Sequence, residues 1–182
     1  SRADELVERA KRMTDEHKKT AEDILRENKR VSDEHKKTLE KILRENEKIV
    51  DEVAKLLEEG RDKEELVRRV EKVSRDSKRR LKELLETNHR ISEESERRLR
   101  ELLRTNREVV EEVRKRLKDE VSDKDKVREV EEELKRLHKE VEDVVDTVRR
   151  TSEKLNDEVR KVVETVTRRS EELLEELRRR AK

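Results

Sequence analysis

The chain has 182 residues, of which 57% are charged, none is aromatic and none is Pro or Cys. Its 52 Lys and Arg almost balance its 51 Asp and Glu, so there is no large net charge to attract nucleic acid or an anionic membrane. The lack of Cys excludes disulfides and thiolate metal sites. A chain this polar would be expected to be disordered if its apolar residues were scattered.

The apolar residues instead recur at helical spacing in three segments of nearly equal length, 2–58, 63–119 and 124–181. This pattern predicts an all-α fold of three long helices in one domain over 1–182. No apolar run approaches the roughly 18 residues of a membrane span, and no apolar signal segment opens the chain. We therefore expect a soluble protein without a targeting signal, cytoplasmic on recombinant expression.

The first segment contains an internal repeat, since residues 14–31 recur with small changes at 32–49. This repeat of 18 residues equals five turns of an ideal α-helix, so the pattern returns to one face without the supercoil that a strict heptad imposes. We therefore expect nearly straight helices. Asn28, His35 and Asn46 lie near the centre of the apolar stripe, where polar side chains need partners.

The first turn carries helix-end and helix-start signals, and the second segment has an internal repeat like that of the first. Gly60, the only Gly, stands where a helix end favours a positive φ, and Asp62 with Glu65 has the spacing of a capping box. Residues 74–91 are repeated as 92–109. The apolar stripe of this segment surrounds four polar residues, Ser77, Asn88, Ser95 and Asn106.

The second turn offers Ser122 or Asp123 as the N-cap of the third segment, in which residues 138–155 recur as 156–173. Both turns are short. They predict that the three helices run antiparallel, up-down-up, as a three-helix bundle.

Polar residues in the stripes pair by their distance from the turns. His17 and Asn106 lie equally far from the turn at 60–62, and Asn106 and His138 lie equally far from Ser122. The same rule predicts four polar layers: His17, Asn106 and His138; His35, Asn88 and Asn156; Asn28, Ser95 and either Thr151 or Ser152; Asn46, Ser77 and Ser170. Because a buried amide or imidazole without a hydrogen bond costs about 1 to 3 kcal/mol, a slipped or reversed helix would be penalised. We interpret the layers as setting register and pairing.

Blocks such as DEHKKT and ILREN, surfaces almost entirely of Glu, Lys, Arg and Asp, short capped turns and layered His, Asn, Ser and Thr resemble de novo designed helical bundles with buried hydrogen-bond networks. The resemblance covers the whole chain. Bundles of this class serve as scaffolds, homo-oligomers, heterodimer halves or switches, so the resemblance implies an engineered protein without a natural biochemical activity. Because the apolar stripes bury many side chains and strong helix formers dominate the chain, we expect a heat-stable structural scaffold.

The remaining hypotheses concern sites. His17 and His138 are the one His pair that can meet, and Asn106 is a poor third ligand, so we predict no metal. We also predict no catalytic residue, no cofactor and no small-molecule substrate, because a filled bundle offers no pocket that shifts a pKa. A buried neutral His would lose its stabilising effect as the pH falls, which leaves a pH switch open.

The alternative function is a binding module. The apolar stripe of the first segment is wide for two neighbouring helices to cover. Leu25, Leu43 and Val50 lie on one edge of it, with Thr14 and Ser32 beside them. A partner amphipathic helix could dock there, which would make the chain the three-helix component of a designed heterodimer, or the chain could self-associate as a homo-oligomer. We rank the self-contained scaffold first.

Overall fold

The computed structural model describes residues 1–182 and contains three α-helices without strands. Helix α1 spans Arg2–Glu58, α2 spans Lys63–Glu120 and α3 spans Lys124–Ala181. The chain is an all-α, antiparallel, up-down-up three-helix bundle, so the predicted fold class is confirmed. Helix α2 ends one residue after the predicted 119, within the usual variation of helix ends. The straightness of the helices stays a prediction.

The first turn ends α1 with a left-handed residue. Gly60 has a φ of 76°, its N–H donates to the carbonyl of Leu57 at 3.2 Å, and the N–H of Arg61 donates to that of Leu56 at 3.1 Å. These bonds occupy carbonyls that the end of a helix leaves without partners, as in a Schellman motif. Asp62 then caps α2, because its Oδ1 accepts from the N–H of Glu64 at 3.1 Å.

The other two helix starts are capped by side chains of the same kind. Of the two residues offered by the second turn, Asp123 is the cap of α3, since its Oδ1 accepts from the N–H groups of Asp125 at 3.0 Å and Lys126 at 3.3 Å. At the start of α1, the hydroxyl of Ser1 accepts from the N–H of Asp4 at 3.3 Å. Each cap satisfies donors that have no partner within the helix.

The chain contains two compact units, each built from parts of all three helices. Unit 1 comprises residues 1–29 and 92–154, and unit 2 comprises residues 30–91 and 155–182. The interpretation of 1–182 as one domain stays a prediction. Both units bury Leu, Ile and Val from all three helices, with Ala3, Ala10 and Ala21 added in unit 1. In unit 1, His17, Asn106 and His138 fall between two apolar clusters along their helices, and in unit 2, Asn46, Ser77 and Ser170 do the same.

Candidate functional site

The His17 layer, formed by His17, Asn106 and His138 in unit 1, joins all three helices through one amide. Asn106 is fully buried, with 0% of its surface exposed, between apolar clusters that contain Val110 on one side and Leu102 on the other. Its Nδ2 donates to Nδ1 of His17 at 2.8 Å, and its Oδ1 accepts from Nδ1 of His138 at 2.7 Å. Both polar ends of the amide are therefore satisfied by imidazoles.

The two rings of this layer differ in their surroundings. Burial lowers the pKa of His17 from its ordinary value of 6.5, and the charge of Glu16 opposes that effect. For His138, Nε2 is buried and lies 3.1 Å from Oε1 of Glu142. The two atoms are within ion-pair distance without forming a hydrogen bond. Glu142 is thus placed to stabilise a positive charge on His138.

The Asn28 layer, formed by Asn28, Ser95 and Ser152, also lies in unit 1. Nδ2 of Asn28 donates to the hydroxyls of Ser95 and Ser152, both at 2.9 Å. Of the two α3 residues offered by the sequence, Ser152 makes this bond, while Thr151 is half-buried. One amide on α1 therefore links the other two helices.

The Asn46 layer, formed by Asn46, Ser77 and Ser170 in unit 2, also joins three helices through one amide, but it uses both ends of that amide. Nδ2 of Asn46 donates to the hydroxyl of Ser170 at 3.0 Å, and Oδ1 accepts from the hydroxyl of Ser77 at 2.9 Å. All three residues are buried. A slip of one helical turn, about 5.4 Å, would break such bonds.

The His35 layer, formed by His35, Asn88 and Asn156 in unit 2, is not closed in the same way. Nδ1 of His35 is buried and has no hydrogen-bond partner, so the bond from His35 to Asn88 expected at matched height is not made at this atom. Asn88 is buried, and Asn156 is half-buried and has a polar interaction of its own. All three residues lie in unit 2, but no hydrogen bond joins Nδ1 of His35 to the other two.

Sequence reasoning left two buried hydroxyls out of the layers. Thr14 and Ser32 occupy equivalent positions of the α1 repeat, are 1% and 3% exposed, and have hydroxyl oxygens without a hydrogen-bond partner. They were predicted to lie at the edge of the stripe. The rotation of α1 in the bundle places them inside, and the repeat that relates them was the signal available in the sequence.

Ion pairs that bridge neighbouring helices also follow the repeat. In unit 1, Nζ of Lys18 lies 2.6 Å from Oε2 of Glu140, and in unit 2, Nζ of Lys36 lies 2.6 Å from Oε2 of Glu158. Other pairs connect the remaining helix faces, such as Arg149 with Glu96 in unit 1 and Arg80 with Glu45 in unit 2. Because water screens these exposed or partly exposed groups, each pair contributes little to stability. Their positions favour one arrangement of the helices within each unit.

Two further features of the structure concern metal binding and membrane spans. No group of three or more His, Asp or Glu side chains is arranged to hold a metal ion. The two rings of the His17 layer direct Nδ1 at an amide, which is a weak metal ligand. None of the three helices is long and apolar enough to cross a membrane.

The fold defines the class as a three-helix bundle, and a comparison with solved structures agrees. The chain is similar to a protein described as a "Computationally designed three helix bundle", with a TM-score of 0.64 and 18% sequence identity over 99% of this chain and 89% of that chain. At this identity the similarity shows the fold alone. No protein-family model matches the sequence, and no curated protein is significantly similar to it.

Proposed function

We propose that the chain is an engineered structural scaffold without a natural biochemical activity, in which the buried polar layers set the register and pairing of the helices. The observation that carries the proposal is that one Asn side chain bonds to side chains of both other helices in three separate layers, those of His17, Asn28 and Asn46. The designed bundle of similar fold supports it.

The layers are suited to specificity more than to stability. Well-packed hydrophobic residues often stabilise a core as much as a buried polar group or more, whereas a misplaced polar group is penalised. The two short turns already prevent large shifts of one helix within a chain. The layers then select among arrangements that differ by about one turn, by a rotation of a helix, or by exchange of helices between chains.

The same bonds leave the buried polar groups without a catalytic role. Ser77, Ser95, Ser152 and Ser170 bond to Asn amides, and an amide is not a base that activates a nucleophile. We therefore propose no catalytic residue, cofactor or metal for this chain.

The test replaces both layers of unit 1 by apolar residues and leaves unit 2 unchanged as the internal control. The variant carries His17→Leu, Asn28→Leu, Asn106→Leu and His138→Leu, with Ser95→Ala and Ser152→Ala. Because the chain has no Cys, spin labels can be attached at exposed Asp23 and Glu101 in unit 1 and, separately, at exposed Lys41 and Glu83 in unit 2.

We expect the variant to be at least as stable to urea as the parent, because apolar groups replace polar ones. The distance distribution in unit 1 should become broad or multiple, while that in unit 2 stays narrow. A single narrow distribution in unit 1 at the parent distance would contradict a role of the layers in register.

A second candidate function is a binding module for a partner amphipathic helix, or self-association. The observation that favours it is that Leu25, Leu43 and Val50 on α1 are only half-buried. It ranks second because no large hydrophobic side chain of the chain is exposed. Light scattering over a range of concentrations separates the two: a constant monomer mass and no binding of a dye for apolar surface favour the self-contained scaffold.

A further inference from the structure

The His17 layer contains an imbalance of hydrogen-bond types. Two imidazole Nδ1 atoms, those of His17 and His138, lie 2.8 and 2.7 Å from the two ends of the Asn106 amide. An amide has one donating end and one accepting end. One ring must therefore accept at Nδ1 while the other donates, and this holds whichever way the amide is turned.

This geometry limits the charge that the layer can hold. A protonated imidazole carries N–H groups on both nitrogens and can only donate. The ring that faces Oδ1 of Asn106 can be protonated without losing its bond, whereas the ring that faces Nδ2 cannot. With Asn106 fully buried, no water takes over the lost bond at the amide.

We propose that the His17 layer holds one imidazolium but not two, so that a second proton breaks the layer and acid destabilises unit 1 at this point. His17 is the ring that stays neutral, because its Nδ1 accepts from Nδ2 of Asn106, whereas Nδ1 of His138 donates to Oδ1 of Asn106. The inference goes beyond the scaffold role, since it would stand even if the layers had no effect on pairing.

The charged surroundings of the layer agree with this assignment. On α1, His17 stands between Glu16 and Lys18, and Lys18 is paired with Glu140 of α3 at 2.6 Å. On α3, Glu142 faces His138. On α2, the residues one turn either side of Asn106 are Leu102 and Val110, which carry no charge. Charge compensation is therefore strongest beside His138.

The direction of the pH effect follows from the same geometry. The pKa of His17 is lowered from 6.5, chiefly by burial. Below a pH of about 6.5, the unfolded chain therefore binds a proton at His17 more readily than the folded chain does. The contribution to stability is complete above a pH of about 6.5 and is lost as the pH falls below that value. The His35 layer has a single imidazole and no such limit.

The experiment compares the parent with His17→Gln, His138→Gln and the double variant, each unfolded in urea between pH 7.5 and 5. Gln can donate or accept through its amide and does not titrate. The double variant serves as the reference, because it keeps every other titratable group of the parent.

We expect the unfolding constant of the parent, relative to the double variant, to rise by up to about tenfold per pH unit below 6.5, as for one extra proton bound on unfolding. Each single substitution should remove most of this excess, because the remaining ring can bond to Oδ1 of a turned Asn106. If instead burial disfavoured protonation of each ring independently, the reductions caused by the two single substitutions would sum to the whole excess of the parent. That additive result, or no excess in the parent, would overturn the proposal.

A measurement on the unmodified protein covers the case in which a variant does not fold. The ¹⁵N chemical shifts of the imidazole rings report the charge and tautomer of each His while the protein is folded. We expect one charged and one neutral ring in the His17 layer at mildly acidic pH. Two charged rings in the folded protein would overturn the proposal.

Discussion

The His17 layer and the His35 layer begin from nearly the same residues and reach different hydrogen bonding. Their members on α1 and α2 correspond through the repeats, His17 to His35 and Asn106 to Asn88, while α3 supplies His138 to the first layer and Asn156 to the second. In the first layer the central amide bonds to both rings. In the second, Nδ1 of His35 is buried without a partner. The repeat thus sets the height of a polar residue along the helix. The side chains present at that height decide whether the layer closes, that is, whether hydrogen bonds join all three helices.

The Asn28 and Asn46 layers show the opposite case, in which both copies close. Each joins one Asn of α1 to one Ser of α2 and one Ser of α3, at 2.9 to 3.0 Å. A serine hydroxyl can donate or accept and rotates to suit its neighbour. An imidazole is larger and has two nitrogens at fixed positions, so it tolerates less error in its placement.

The largest expected effect comes from Asn106→Leu compared with Asn88→Leu. Removing the Asn106 amide leaves two buried imidazole nitrogens without partners, which should lower the free energy of unfolding by about 2 to 4 kcal/mol. The Asn88 substitution should cost less than half as much, because Nδ1 of His35 already has no partner. Urea unfolding at pH 7.5 measures both. Equal losses would mean that the two layers are equivalent in solution.

A smaller difference is expected between the two closed serine layers. Asn46 is 3% exposed and Asn28 is half-buried, so water can replace lost bonds more easily beside Asn28. We expect Asn46→Ala to cost about 2 kcal/mol and Asn28→Ala about 1 kcal/mol. Hydrogen exchange at amides near each layer measures the local loss. A larger loss at Asn28 would contradict the burial assigned to the two residues.

The smallest effect, and the one stabilising change, is expected for Thr14→Val. The substitution keeps the shape of the side chain and removes a buried hydroxyl without a partner, so the free energy of unfolding should rise by about 1 kcal/mol. The matched control is Thr20→Val, at an exposed residue whose hydroxyl donates to the carbonyl of Glu16, and it should change stability by less than about 0.5 kcal/mol. Destabilisation by Thr14→Val would indicate that its hydroxyl has a partner in solution.

The fold could be predicted from the sequence because local signals agree with one another. The helical spacing of the apolar residues, Gly60 at one turn and an Asp cap at each of α2 and α3 point to the same three helices, and the fold class is confirmed. The distances of polar residues from the turns place Asn28 with Ser95 and Asn46 with Ser77, and the structure brings these side chains together.

Hydrogen bonding within the His35 layer and the burial of Thr14 and Ser32 could not be predicted in this way. Whether a ring reaches an amide depends on about 1 Å of position and on its rotamer, neither of which the spacing of residues contains. The rotation of α1 about its axis depends on packing against α2 and α3, so a residue assigned to the edge of a stripe can be fully buried. The spacing of residues along the sequence therefore predicts the height of a side chain along its helix better than the rotation of that helix about its axis.

The most direct test of the central claim is a search for nuclear Overhauser effects from the side-chain amide protons of Asn106. The claim is that polar side chains of all three helices meet at one height inside the core. We expect cross-peaks from this amide to ring protons of both His17 and His138, together with slow exchange of the amide protons with water. An Asn106 amide that exchanges rapidly with water and shows no cross-peak to either ring would contradict the account.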